Sequence, residues 1–200
     1  MIAGTFILRS KTDVDEDSGL VILARRDREA FVQLYRRHYD VIFRYCVHRL
    51  FDRAAAEDVA SEVFLKMVEN FHRFEGTEAQ FRNWLYRIAT NAVNHQLRRI
   101  TRRNGLLRAA CEQAGSQADD CQESPERLAL LKEAVLALKP RYQTIITLRF
   151  FENMKLNEIA EVLGGSPGTV RSQLARALAM LRKKLAAELM GKSEVDENER

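Results

Sequence analysis

"GGSPGTVRSQLARALAMLRKKL", residues 164–185, decides how the rest of the chain is read. Val170, Leu174, Ala177, Leu178, Leu181 and Leu185 recur at helical spacing and form one apolar stripe, with Arg171, Ser172, Gln173 and Arg176 opposite it. Ser166 is placed to cap this helix, Pro167 occupies its first position and Thr169 lies just inside. Upstream, "RYQTIITLRFFEN" and "KLNEIAEVLG" predict two shorter helices, the first ended by Asn153 and the second capped by Asn157 and ended by Gly164. A short helix, a glycine turn and a second helix rich in Arg, Ser and Gln is the helix-turn-helix plan, whose second helix enters a major groove. Arg pairs bidentately with guanine and Gln with adenine, while Ser166 and Thr169 sit where backbone N–H groups favour phosphate. Arg182, Lys183 and Lys184 lie too far along to read bases and suit phosphates or a polar surface. The plainer alternative is a surface helix with a solvated basic face.

The rest of the 200-residue chain constrains that choice. Its 30% charged and 46% hydrophobic residues are enough for packed cores. No apolar run approaches the roughly 20 residues of a membrane span, and the N-terminus has no leader pattern, so a cytoplasmic protein without membrane insertion is expected. Cys46, Cys111 and Cys121 form no C-x-x-C pair and the histidines are scattered, so no disulfide framework, metal or cofactor is expected. No nucleophile constellation or phosphate-cradling glycine loop suggests an enzyme. The net charge of +4 conceals two strong local fields. No acid occurs between Arg82 and Glu112, where Arg82, Arg87, Arg98, Arg99, Arg102, Arg103 and Arg108 accumulate, and none between Glu161 and Glu188. The acids gather in "DVDEDS", "EQAGSQADDCQESPE" and "SEVDENE".

Helical periodicity runs through most of the chain and no segment alternates with period two, which predicts an all-α protein. Phe31, Leu34, Tyr35, Val41, Ile42 and Tyr45 mark one amphipathic stretch. Val59, Val63, Phe64, Met67 and Val68 mark a second, and Phe81, Trp84, Leu85, Ile88, Ala89, Val93 and Leu97 a third. Gly105, Gly115, Ser116, Asp119, Asp120, Ser124 and Pro125 interrupt the pattern, which resumes with Leu128, Leu131, Val135 and Leu138 until Pro140 breaks it. Two small helical domains joined by a flexible linker are therefore expected: a tail over 1–19, a domain over 20–103, the linker over 104–125, a second domain over 126–189 and an acidic tail over 190–200.

In "FRNWLYRIATNAVNHQLRR", Phe81, Trp84 and Tyr86 interleave with Arg82, Arg87, Asn91, Asn94, His95 and Arg98. Such interleaving suits a strand whose bases have left the stack, because aromatic faces replace about 1–3 kcal/mol of stacking per base. Trp84 shares a helix face with Leu85 and Ile88, so a packing role competes with a binding one.

Taken in order, these segments resemble bacterial RNA polymerase sigma factors of the small extracytoplasmic-function (ECF) group, which keep only sigma regions two and four. "AFVQLYRRHYDVIFRYC" looks like the start of region two, and "AEDVASEVFLKMVEN" like its polymerase-binding helix. "FRNWLYRIATNAVNHQLRR" resembles the melting and −10-reading segment, and the run from "LALKPRYQ" to "MLRKKL" resembles region four. The resemblance implies a transcription initiation factor that brings core polymerase to a promoter through −35 and −10 elements and helps open the duplex. It assigns Asp58, Glu62 and Phe64 to the clamp coiled coil of the polymerase's largest subunit, and implies a contact with the flap. Phe74, Arg82, Trp84, Arg87, Asn91, Asn94, His95 and Arg98 fall on the −10 side, with Asn91 and Phe74 at a pocket for an extruded base. Ser166, Thr169, Arg171, Ser172, Gln173 and Arg176 fall on the −35 side. The family also implies an anti-sigma partner. Three departures stand out: Ser61 where a glutamine is common, Gly165 where the turn usually carries an apolar residue or cysteine, and Gln173 in place of a frequent arginine. Gly165 is expected to loosen the two helices of the motif. The rival reading is a stand-alone helix-turn-helix regulator, which would favour a palindromic site and leave the Asp58–Phe64 segment unexplained.

Overall fold

The computed structural model describes residues 19–112 and 126–198. Tail residues 1–18 and linker residues 113–125 lie outside the described residues, as do 199–200. Among the described residues eight α-helices follow in order: α1 (Leu20–Leu23), α2 (Arg28–Leu50), α3 (Arg53–Asn70), α4 (Glu78–Glu112), α5 (Glu126–Leu136), α6 (Pro140–Ile146), α7 (Leu156–Leu163) and α8 (Pro167–Asn198). No strand occurs among the described residues.

Local chemistry sets most of these boundaries. Asp27 caps α2 by accepting from the N–H groups of Glu29 and Ala30 at 3.0 and 3.1 Å, and Asp52 caps α3 by accepting from Ala55 N–H at 3.0 Å. Between them Phe51 adopts a left-handed backbone (φ 53°) and makes the tight reversal that stacks α3 on α2. Thr77 and Gln80 cap α4 reciprocally, Thr77 N–H donating to Gln80 Oε1 at 2.9 Å and Gln80 N–H to Thr77 Oγ1 at 3.3 Å. Helix α4 thus starts at Glu78, shortly after Phe74. Asn153 ends the α6 segment with φ 53°, as expected. Asn157 does not cap α7: the helix begins one residue earlier at Leu156, where Glu158 accepts from Lys155 N–H at 2.7 Å.

α2, α3 and the first half of α4 form the N-terminal bundle around Leu34, Ile42, Tyr45, Met67, Phe81 and Leu85, all essentially inaccessible. α5, α6 and α8 close a second cluster around Ala134, Leu138, Ile146, Ala177 and Leu181. Helix α4 continues through residues 104–112, which the interrupted apolar pattern placed in a linker. That stretch, "GLLRAACE" after Asn104, carries strong helix formers and no proline, so backbone propensity carries the helix on where the amphipathic stripe stops. Helix α8 also runs further than expected, to Asn198, through residues placed in the acidic tail.

The two halves are packed together. Ile145, Leu148, Met154, Ile159 and Val170 of the C-terminal half belong to the same apolar cluster as the N-terminal bundle, and Phe51 of the N-terminal half packs on the C-terminal cluster. Beneath this contact lies Arg49, only 1% exposed, whose Nη1 donates to Gln143 Oε1 at 3.1 Å and Nη2 to Asn94 Oδ1 at 2.8 Å. Gln143 in turn donates to the carbonyls of Leu136 and Leu138 at 3.0 and 2.9 Å, so one buried arginine ties α2, α4 and the α5–α6 connection. No helix among the described residues is long and apolar enough to cross a membrane.

Candidate nucleic-acid interface

The helix-turn-helix is built by α7 and α8. Gly164 ends α7 in the left-handed region at φ 65°, and the N–H groups of Gly165 and Gly164 donate to Ala160 O at 2.9 Å and Glu161 O at 3.3 Å, closing the turn from both sides. A Cβ at Gly165 would meet no atom within 4 Å. The first carbon of a side chain there would therefore add no contact between the two helices. Ser166 Oγ accepts from Thr169 N–H at 3.2 Å, the cap expected there. Val170, Ala177 and Leu181 turn inward, leaving Arg171, Ser172 and Arg176 exposed at the N-terminal end of α8 beside exposed Ser166 and Thr169. Gln173 corrects the sequence reading. It is 8% exposed, and its Oε1 is buried without a protein partner, so it belongs to the packed side rather than to the row facing a groove. Its position, three residues after Val170 and four before Ala177, places it at the edge of the apolar stripe.

Helix α4 carries the second basic surface, and the structure divides it into two strips. Trp84, Ile88, Asn91, His95 and Arg98 recur every three or four residues and share one side. Trp84 packs on Phe74 with ring centroids 5.1 Å apart, and both rest on buried Phe81 at 5.6 and 5.4 Å. Beside them is a hollow of about 520 Å³ lined by Lys66, Asn70, Arg73, Phe74, Glu75, Trp84 and Ile88. The approach of the chain over Phe74 requires Gly76, since a Cβ there would lie 2.9 Å from the Phe74 ring and 2.8 Å from Gln80 Oε1. Arg25 donates to the carbonyl of Phe74 and ties the loop to α1. Asn91, His95 and Arg98 are exposed along the helix beyond the hollow, and Asn91 does not line it. Sequence reasoning missed Lys66, Asn70 and Arg73, which come from the end of α3 and the 3₁₀ turn Phe71–Arg73 after it. Their spacing from Trp84 in the chain gives no local signal.

The second strip, Arg82, Asn83, Tyr86 and Arg87, is engaged by the C-terminal half, with Asn83 and Tyr86 buried, Arg82 half-buried and Arg87 exposed. Arg82 pairs with Glu158, and Asn83 Nδ2 donates to Glu161 Oε2 at 2.6 Å. Tyr86 donates to Glu152 Oε2 at 2.6 Å, and Arg87 donates to the carbonyls of Glu161 and Val162. Burial first, and then the charge of Glu152, push the Tyr86 phenol far above its ordinary value. Asn94 is held by Arg49. The residues grouped by sequence as one surface thus separate into an open strip and an occupied one.

On α3, Asp58 and Glu62 are exposed four residues apart, as their spacing predicts, and Lys66 reaches Glu62 at 2.5 Å. Phe64, assigned with them to the polymerase, is instead core: it is 3% exposed and lies against Tyr35 and Tyr39 at 4.7 and 5.3 Å. Its place with Ala60 and Met67 on the inward stripe was the signal. The exposed apolar side chain beside Asp58 and Glu62 is Leu65, 59% exposed. No cluster of three or more His, Cys, Asp or Glu suited to a metal occurs among the described residues.

Residues 34–103 match the sigma-70 region 2 family and residues 128–181 match sigma-70 region 4. The RNA polymerase sigma-H factor of Pseudomonas aeruginosa is 34% identical over 184 residues, 86% of this chain and 94% of that protein. The ECF RNA polymerase sigma factor BldN of Streptomyces coelicolor is 32% identical over 163 residues, covering 80% of this chain and 61% of BldN. The ECF sigma factor SigW of Bacillus subtilis is 29% identical over 170 residues, 80% of this chain and 90% of SigW. Two solved structures share the fold. CnrH, in complex with the cytosolic domain of CnrY, superposes with a TM-score of 0.64 at 24% identity, covering 86% of this chain and 97% of that one. The sigma factor RpoE, with the anti-sigma factor NepR from Bartonella quintana, gives 0.58 at 20% identity, covering 78% and 96%.

Proposed function

The chain belongs to the RNA polymerase sigma factors, in their extracytoplasmic-function group, and we propose that its halves divide promoter recognition between α8 and α4. The exposed N-terminal end of α8 reads the −35 element: Arg171 and Arg176 toward base edges, and Ser166, Thr169 and Ser172 toward the backbone. The open strip of α4 and the adjoining hollow take the −10 element once its strand leaves the duplex. Phe74 and Trp84 offer faces for an extruded base, Lys66 and Arg73 offset the adjacent phosphates, and Asn91, His95 and Arg98 follow the strand along the helix. Asp58, Glu62 and Leu65 on α3 present charge around an apolar contact to a basic coiled coil of the polymerase. No bond is made or broken by the chain; promoter opening draws on binding free energy alone. An anti-sigma partner is proposed by analogy with RpoE, and a cytoplasmic location follows from work on core polymerase.

The observation that carries this reading is the hollow beside Phe74 and Trp84, bordered by cations in the same chain as an exposed helix-turn-helix. A stand-alone regulator needs the second feature but has no use for the first. The test is run-off transcription with purified core polymerase on a promoter library. Wild type is expected to start from a shared −35 and −10 pair, Asp58→Arg to abolish initiation, and Arg171→Ala to weaken dependence on the −35 element by about tenfold, as for a lost bidentate pair. Polymerase indifferent to the wild-type chain would overturn the reading in favour of the stand-alone regulator.

A further inference from the structure

The Phe74 ring can offer a steady face to a base only while its loop holds still. Between α3 and α4 the chain is fixed at both ends from within: Phe74 N–H donates to Phe71 O at 3.0 Å, and Thr77 and Gln80 close the start of α4. Glu78, the first residue of α4, is buried and meets His38 Nε2 of α2 at 2.9 Å. The peptide between Phe74 and Glu75 lies between these anchors, with Phe74 in the extended region (φ −74°, ψ 125°). Its carbonyl accepts from Arg25 Nη2, a bond that crosses 49 positions of sequence. Arg25 is itself firmly seated. Val21 of α1 and Ala24 just after it are buried in the N-terminal core. The N–H groups of Arg26 and Asp27 donate to Leu23 O at 2.9 Å each, and Asp27 then caps α2. Helix α1 and Arg25 precede residues 34–103, the part of the chain that matches sigma region 2.

We infer that Arg25 is a positioning residue for the extruded base: by holding the Phe74 carbonyl it fixes the backbone that aims the Phe74 ring at the hollow, and it does so without touching the strand. This rests on the hollow being the −10 base site. Side-chain rotamers depend on the backbone that carries them, so a peptide free to turn about Phe74 would let the ring leave its place against Trp84 and Phe81. Gly76 makes the same demand from the other side, since the chain passes over the ring too closely for any Cβ. A guanidinium suits the task because it donates from a long arm to an acceptor on another element. A loop already in its bound conformation loses none of the binding energy to ordering, which leaves more for opening the duplex. The other role open to an exposed arginine beside the hollow is a direct grip on a phosphate. The two roles differ in what a variant loses.

The test uses the full chain assembled with core polymerase and a fluorescent single strand carrying the −10 sequence that wild type uses in run-off assays, together with copies that each lack one base. Anisotropy gives the affinity for each strand. Wild type is expected to lose affinity sharply at one abasic position, that of the extruded base. Arg25→Ala is expected to bind the intact strand about fivefold more weakly, the cost of ordering a loop side chain on binding. It is expected to bind the copy abasic at that position as wild type does, which also reports that the variant has folded and assembled. Arg25→Lys, which keeps donors on a long arm, is expected to recover most of the loss. Arg26→Ala, the same loss of charge at the next exposed residue, is expected to leave both affinities unchanged. Equal weakening of intact and abasic strands in Arg25→Ala, with a flatter dependence of affinity on salt, would assign Arg25 to a phosphate and overturn the positioning role. Wild-type affinities in Arg25→Ala would overturn it as well. A wild-type complex indifferent to every abasic copy would instead bring down the extruded-base reading on which the inference stands.

Discussion

The two basic stretches have similar sequence logic and different situations. On α8 the cations Arg171 and Arg176 stand clear on a helix whose apolar stripe packs on α5, α6 and α7, and neither meets an acid among the described residues. On α4 the stripe is also used, but the remaining circumference is split: Trp84, Asn91, His95 and Arg98 stay open while Arg82, Asn83, Tyr86 and Arg87 are paired within the chain. An acid-free run therefore fixes that a surface is basic, and leaves its availability to helices far away in sequence. The acids needed to cover α4 lie 66 to 78 residues further on.

The largest effect that probes this contrast concerns Cys46, buried on α2 one turn before Arg49. Burial first, opposed by Arg49 and assisted by Glu152 from the other half, pushes its thiol up to about 12. In a chain with Cys111→Ser and Cys121→Ser, Cys46 is expected to react with a thiol reagent at pH 8 about a thousandfold more slowly than free cysteine, because the thiolate is the reacting species. The folded state binds this proton more tightly than the unfolded state. Its contribution to stability is therefore complete below the ordinary thiol value near 9 and is lost as the pH rises from there toward 12. Reactivity near that of free cysteine in the native protein would mean that the covered side opens readily, and would erase the distinction between the two surfaces.

A second pair of substitutions separates inward from outward on α3. Phe64→Ala empties a site bounded by Tyr35 and Tyr39 and is expected to cost about 3–5 kcal/mol of folding stability. Leu65→Ala, one residue on, is expected to change stability by about 0.5 kcal/mol or less and to weaken polymerase binding instead. Thermal melts and a pull-down on core polymerase read the two effects apart. If Leu65→Ala proves the more destabilising, the helix presents a different face.

These residues mark where the sequence was legible and where it was not. Helix identity, the Ser166 cap, the left-handed end at Gly164, and the exposure of Arg171, Arg176, Asp58 and Glu62 all follow from chemistry within a few positions, which periodicity captures. Phe64 was misplaced although its spacing set it within the apolar stripe of α3, because the family resemblance was followed over that signal, whereas Gln173 borders an apolar stripe whose width is set by how deeply its neighbours pack rather than by spacing. The helical continuation of α4 was hidden because the apolar pattern lapses while backbone propensity persists. The closed contact lay further still beyond reach, since Arg49, Gln143 and Asn94 meet across separations of 94 and 45 residues.

Gln173 offers the smallest and sharpest test. Its Oε1 is buried with no protein partner, and such a group costs more than it returns when nothing donates to it. Gln173→Leu keeps much of the volume and removes the orphan acceptor, so stability is expected to stay level or rise by about 1 kcal/mol. If Gln173 faces the core in the promoter complex as well, run-off transcription on promoters varied at each −35 position will keep its base preferences. Arg171→Ala on the same helix will relax one of them. A base preference lost in Gln173→Leu would mean that the side chain turns outward on DNA. The edge of the apolar stripe on α8 would then be a movable boundary, and the division of the helix into packed and reading faces would depend on whether DNA is bound.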